Sequence, residues 1–244
     1  MPRTGGSFRG HGQLRHRLCD TRTMPLFLLD LDNTLVDRAA AFRKWAQRFT
    51  VAHGGDIKWL VEADADGYEP RARLAERIRS KYFLDESAFS SVHADLGSGM
   101  ADDLVLDPAV PSALARAKNA GWVPVVVTNG PVVQQERKLS VTGLDRLVDT
   151  WVISEAVGVK KPDPQIFGAV TRLTGRSLDG AWMIGDSATA DIGGANRISI
   201  DSVWLHRGRR WIEDQYQPTF IANDCVEAIN YVVHKGFPTA ENSA

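Results

Sequence analysis

The chain has 244 residues, 43% hydrophobic and 24% charged, which are ordinary globular values that exclude wholesale disorder and fibrous repeats. Lys+Arg 29 against Asp+Glu 30 leaves a net charge of −1, removing the electrostatic case for binding a nucleic-acid polymer or a membrane surface. Two cysteines, Cys19 and Cys225, exclude a disulfide framework, and no apolar run reaches the length of a membrane span, so a soluble cytoplasmic protein is expected.

Residues 1–23 stand apart from the rest. They hold Arg3, Arg9, Arg15, Arg17 and Arg22 against one acid, Asp20, and lack the apolar stretch of a secretory signal. A disordered N-terminal extension, dispensable for stability and activity, is the expectation, with Met24 directly ahead of the first strand.

From Pro25 the pattern is α/β. Residues 26–29 form a short continuous apolar run, as a parallel strand covered on both faces does. Similar runs occur at 122–127, 150–153, 181–184 and 202–205. Helices are predicted between them. One spans 111–120 and closes at Gly121, a second spans 131–141 ahead of Gly143, and a third opens at Asp163-Pro164 and ends near Gly175. Such alternation predicts a doubly wound, Rossmann-like parallel sheet. The rhythm breaks once, where about ninety residues separate the first two strands, far more than one crossover needs. Helical patterns at 38–52, 57–65, 71–83 and 86–96 fill that gap. The organisation expected is a core of 24–36 and 108–244 carrying an inserted α-helical cap over 37–107.

Four stretches carry candidate chemistry. Asp30-Leu31-Asp32-Asn33-Thr34-Leu35 follows the first strand at the sheet edge where open α/β folds bind ligands. Two acids there can act as nucleophile and proton carrier beside a hard cation, or merely shape a polar turn. Thr128-Asn129-Gly130 ends the second strand before a helix, offering either an anion site or a plain turn. Lys161 lies in the Pro-flanked run Lys160-Lys161-Pro162-Asp163-Pro164, and Gly185-Asp186-Ser187-Ala188-Thr189-Ala190-Asp191 follows the fourth strand. Alone, each has a bland reading: a solvated lysine, or an acid favoured by a helix dipole.

In combination the four resemble the haloacid dehalogenase (HAD) superfamily, whose motifs match as DLDNTL, TNG, the Lys of KKPDP, and GDSATAD. The resemblance covers Pro25 to the C-terminus. It implies that Asp30 is a nucleophile forming an aspartyl-phosphate and that Asp32 is the general acid/base. Thr128 and the Asn129 backbone would hold the phosphoryl group, while Lys161 balances its charge. Mg²⁺ would sit on Asp30, Asp32 and Asp186, with Asp191 behind. The implied substrate is a small phosphorylated metabolite such as a nucleoside monophosphate or sugar phosphate. The run after TNG, with Ile153-Ser154-Glu155-Ala156-Val157-Gly158-Val159, is similar to the pyrimidine 5′-nucleotidase subgroup. Ile198-Ser199-Ile200 departs from the Ala-Gly-Met common there, at a helix end with no catalytic role. Two relatives within the superfamily remain as alternatives, a metal-independent 2-haloacid dehalogenase and a mutase. A phospho-accepting receiver module is another, although it has no need of an insert. His206 is given no role, and Trp45 or Trp59 are candidates to line a substrate pocket.

Overall fold

The computed structural model describes residues 24–97 and 99–236. The extension expected over 1–23, like the last eight residues of the chain, lies outside them.

Six parallel strands form the sheet: β1 (Leu26–Leu29), β2 (Val123–Thr128), β3 (Thr150–Ile153), β4 (Trp182–Gly185), β5 (Asp201–Leu205) and β6 (Phe220–Ala222), in the order β3-β2-β1-β4-β5-β6. β1 runs beside both β2 and β4, with Leu29 opposite Val126 and Ile184. The backbone N–H of Asp30 donates to Ile184 O at 2.9 Å, which carries the pairing one residue past the strand. The carboxyl ends of β1, β2 and β4 therefore open side by side, at the point where the strand order reverses.

Alternate residues of these strands feed two cores. Phe27, Leu29, Trp122, Val126 and Ile184 face α5 (Ala109–Asn119) and α10 (Cys225–Lys235). Leu26, Leu28, Val125 and Met183 face α8 (Pro164–Thr174) through Ile166, Phe167 and Val170. Asp163 accepts from Gln165 N, so the first-turn Pro164 and the capping acid open α8 as their types dictate. Between β2 and β3 lies α6 (Val132–Thr142), closed by Gly143 in the left-handed conformation, while the short α7 (Ser154–Val157) follows β3 and α9 (Gly193–Arg197) precedes β5.

The long interval after β1 is helical: α1 (Arg38–His53), α2 (Ile57–Asp64), α3 (Arg71–Tyr82) and α4 (Glu86–Gly97), then a short helical turn over Gly99–Asp103. Phe42, Trp45, Ala46 and Phe49 repeat at the spacing of one helix face and pack with Leu60, Leu74 and Ile78 into a third core of their own.

Two elements near the C-terminus escape the sequence pattern. β6 is only three residues long at the sheet edge, and α10 depends on Cys225, Ala228, Ile229 and Val232, whose four-residue spacing follows an irregular stretch. Elsewhere the shift is small: the helix expected from Pro111 starts at Ala109, because Pro108 already supplies the turn.

Phe27 is fully buried in the central strand, 5.7 Å from the Trp122 ring. Phe27→Ala should therefore cost about 3–5 kcal/mol of stability. Urea denaturation measures it, and a loss below about 1 kcal/mol would mean that the sheet does not rest on this packing.

Candidate active site

Beyond β1 the chain turns tightly. Leu35 N and Val36 N both donate to Leu31 O, and Asn33, with φ of 60°, donates its N–H to Val36 O at 2.7 Å. The Asn33 side chain accepts from Ala39 N at 2.9 Å, tying the turn to the start of α1. This loop returns Asp32 to the cleft that Asp30 also lines. The Thr34 hydroxyl donates to Asp30 Oδ2 at 3.2 Å.

Lys161 is the hub. Its buried ammonium donates to Asp30 Oδ1 at 2.7 Å, to Asp191 Oδ1 at 2.7 Å and to Val127 O at 2.6 Å. Asn129 fixes the lysine backbone from both sides, donating to Lys161 O at 3.0 Å and accepting from Lys161 N at 2.9 Å. That double clamp uses the Asn129 side chain, whereas the sequence motif pointed to its backbone. Asp191 is held by Ser187 N at 2.9 Å. Gly185 makes room for it, since a Cβ there would lie 2.1 Å from Asp191 Oδ2.

Asp30, Asp186 and Asp191 present oxygens all within 4.8 Å of one another. Crowding and burial show in the protonation of Asp30 and Asp186. Burial, reinforced by the Asp191 and Asp186 carboxylates and opposed by Lys161, pushes Asp30 up to about 8. Burial and Asp191 push Asp186 up to about 7, although Arg209 and Arg207 oppose the rise. Lys161 stays protonated despite its burial because Asp191 and Asp30 raise it. A cluster of hard oxygen donors carrying more negative charge than one lysine balances is a donor set that fits a divalent cation.

Asp32 has a different environment. Burial alone would raise its carboxyl, but Lys138 Nζ lies 2.7 and 2.6 Å from its two oxygens and Gln135 Nε2 donates at 3.0 Å, so it sits below the ordinary range. Gln135 also donates to the Thr128 hydroxyl at 2.6 Å. Thr128 is buried beneath the cleft, while Asn129 and Gly130 line it.

The cleft encloses about 410 Å³. Sequence motifs locate Asp30, Asp32, Asn129, Lys161, Asp186 and Asp191 on its wall, but not Arg38, Tyr68, Arg71, Gln135 or Lys138. For Gln135 and Lys138 a signal existed, because residues three apart on α6 share a face just beyond Asn129-Gly130. For Arg38, Tyr68 and Arg71 none did. The aromatic expectation is corrected here. Trp45 is buried within the insert, its Nε1 donating to Asp95, and Trp59 packs edge-on against Tyr82; neither lines the cleft. The aromatic that reaches it is Tyr68, whose hydroxyl donates to Ser187 Oγ at 2.9 Å. His206 accepts from Gly208 N, in the loop that brings Arg207 and Arg209 to Asp186 Oδ2 at 3.3 and 3.2 Å.

The raised carboxyls set a pH prediction. Between the unfolded value near 4 and the folded values, the folded protein holds protons that the unfolded chain has released. In excess chelator this contribution to stability therefore falls as pH rises from about 5 to about 8. Asp186→Asn removes part of the repulsion, so its stability relative to the parent protein should rise across that window. Paired denaturation curves check it, and a pH-independent difference would contradict the crowded-carboxylate account.

Comparison with known proteins agrees with this geometry. A family model described as haloacid dehalogenase-like hydrolase matches residues 24–198. The phosphoserine phosphatase of Thermus thermophilus is 28% identical over 197 residues, 78% of each chain. The glyceraldehyde 3-phosphate phosphatase of Methanopyrus kandleri is 36% identical over 102 residues, 42% of this chain and 44% of that one. The pyrimidine 5′-nucleotidase PynA of Streptococcus pneumoniae is 35% identical over 94 residues, 38% and 40% of the two chains. Among solved structures, that of the L-2-haloacid dehalogenase of Xanthobacter autotrophicus with chloropropionic acid covalently bound superposes with a TM-score of 0.67 at 15% identity, covering 86% of this chain and 98% of that one. At that identity the likeness establishes the fold. No described helix is long and apolar enough to cross a membrane.

Proposed function

The chain belongs to the haloacid dehalogenase-like hydrolase family, and from that membership we propose that it is a Mg²⁺-dependent phosphatase that hydrolyses a small phosphomonoester through Asp30. The observation that carries this reading is the union of Asp30, Asp186 and Asp191 within 4.8 Å around one buried lysine. Phosphoryl transfer asks chiefly for positioning and charge stabilisation, and such a site supplies both. Relatives named phosphoserine phosphatase, glyceraldehyde 3-phosphate phosphatase and pyrimidine 5′-nucleotidase support a phosphoric monoester hydrolase.

In the proposed reaction a carboxylate oxygen of Asp30 attacks phosphorus in line as the bond to the leaving-group oxygen breaks. Lys161 and Thr34 hold that carboxylate in one orientation. Asp32 is ionised in its pair with Lys138, so it first takes up a proton from solvent as that pair opens and then gives it to the departing oxygen. It then takes a proton from the water that attacks the aspartyl-phosphate, which releases phosphate and restores Asp30. Asn129 keeps Lys161 in place throughout, while Thr128 and the Asn129 backbone serve the phosphoryl oxygens. Bound Mg²⁺, held by Asp30, the Asp32 carbonyl and Asp186 with Asp191 in support, would neutralise phosphoryl charge and shield Asp30 from it. Residues 37–107 act as a cap over a core of 24–36 and 108–244, with Asp66, Tyr68 and Arg71 reaching the cleft.

A 2-haloacid dehalogenase is the second reading, since a relative of that name in Burkholderia cepacia is 24% identical over 111 residues. The third carboxylate weighs against it, because a haloacid brings no phosphoryl charge for a bound cation to offset.

Phosphate release from nucleotides, sugar phosphates and phosphoglycolate, with Mg²⁺ and with chelator, is the decisive measurement. Activity should require the metal and vanish in a folded Asp30→Asn protein. Halide release from a haloacid in excess chelator would favour the dehalogenase instead. Lys161→Ala should lower turnover on every substrate by a similar factor, about a hundredfold or more. A reordering of substrates by this variant would remove Lys161 from the common phosphoryl site.

A further inference from the structure

The cleft has a wall that the phosphoryl chemistry leaves unused. Arg38 opens α1, Arg71 opens α3, and both line the cleft with Lys138. Two carboxylates answer these three cations. Asp64 accepts a fork from Arg38 and a 2.8 Å bond from Arg71 Nη1, and Asp32 accepts Lys138. The other acids on this side are committed elsewhere, Asp66 to Arg207 and Glu69 to Arg73 and Arg77. One positive charge is therefore left over in a part-buried wall, where burial and the neighbouring Arg38 push the Arg71 guanidinium below its usual range.

Arg38 adds a sharper sign. It is 3% exposed, yet its Nε has no hydrogen-bond partner among the described residues. An orphaned buried donor is costly, and a ligand acceptor is one way to satisfy it. Gly67, at φ of 93°, lies close against this guanidinium, since a Cβ there would stand 3.1 Å from Arg38 Cζ and 3.2 Å from Nε, so only a glycine lets the loop approach the arginine without crowding it.

Position gives the wall its meaning. Lys138 grips Asp32, the residue assigned to the leaving-group oxygen, so the surplus cations lie on the leaving-group side rather than around the transferring phosphoryl. We propose that Arg71, Arg38 and Lys138 form a subsite for a second oxyanion on the leaving group. The natural substrate is then a phosphomonoester that also bears a carboxylate or a second phosphate. Planar guanidinium forks recognise both groups by the same paired donation. This rests on the phosphatase reading above and narrows it, because a nucleoside monophosphate has an uncharged leaving group and leaves the wall unfilled.

The test compares kcat/KM within matched pairs on the full-length Mg²⁺-loaded protein. 3-Phosphoglycerate against glycerol 3-phosphate reports a carboxylate, and fructose 1,6-bisphosphate against fructose 1-phosphate reports a second phosphate. The more anionic member of one pair should be favoured by about tenfold or more, and the pair that shows it identifies the oxyanion. Arg71→Gln should lower that ratio by about tenfold, chiefly through KM. Arg71→Lys, which keeps the charge and loses the fork, should fall between, and it carries the test should the glutamine variant not fold. Ratios near one in both pairs, or a ratio untouched by either variant, would overturn the subsite while leaving the phosphatase standing. No turnover of any phosphomonoester would instead remove the reading on which it rests.

Discussion

The buried ammonium of Lys161 is the contact on which the site depends. It lies between Asp30 and Asp191 with its third donor on Val127 O, so each of its protons has an acceptor. A buried charge persists only with such partners, and here the partners need the lysine as much as it needs them. Without it, Asp30 and Asp191 would lose their shared cation, and only Arg207 and Arg209 on Asp186 would be left to temper the repulsion of three carboxylates within a few ångströms. Asn129, Ser187 and Gly185 follow from that arrangement: one clamps the lysine backbone, one holds Asp191, and one leaves space for it.

Around this contact the cleft divides into two electrostatic halves. The carboxyl ends of β1 and β4 supply the acidic half, fixed by a parallel register that cannot slip by one residue without exchanging the side chains of the two cores. Helices α1, α3 and α6 supply the basic half through Arg38, Arg71 and Lys138. Asp66 and Tyr68 stitch the inserted helices to the sheet edge, the first through Asn33 and Arg207 and the second through Ser187. Arg207 also touches Asp186, so one guanidinium joins the insert to the acidic cluster. A ligand bridging the halves would meet the carboxylates, with the cation proposed for them, at one end and the guanidinium groups of Arg38 and Arg71 at the other.

What was legible beforehand follows from the range of the interactions. Apolar runs such as Leu26–Leu29 and the capped start at Asp163-Pro164 are local, so five of the six strands and the helices of the long insert could be placed from pattern. β6 was not, because three residues at a sheet edge carry too little pattern to register. Asp30, Asp32, Lys161, Asp186 and Asp191 were identifiable because each sits at a strand end or turn whose chemistry its neighbours announce. Arg38 and Arg71 carry no such mark: in the chain they are two of many arginines, and Trp45 and Trp59 looked the better candidates.

By itself, then, the sequence determined the α/β alternation, the helical insert and the identity of the acids and lysine at the sheet edge, since periodicity and short motifs encode those within a few residues. Tertiary structure alone decided which side chains face one another. Lys161 meets Asp30 across 131 residues of chain, Lys138 meets Asp32 across 106, and Tyr68 meets Ser187 across 119. No local pattern specifies such pairings. They arise when parallel strands bring distant turns to one edge and the packed helices between β1 and β2 lay their arginines against it.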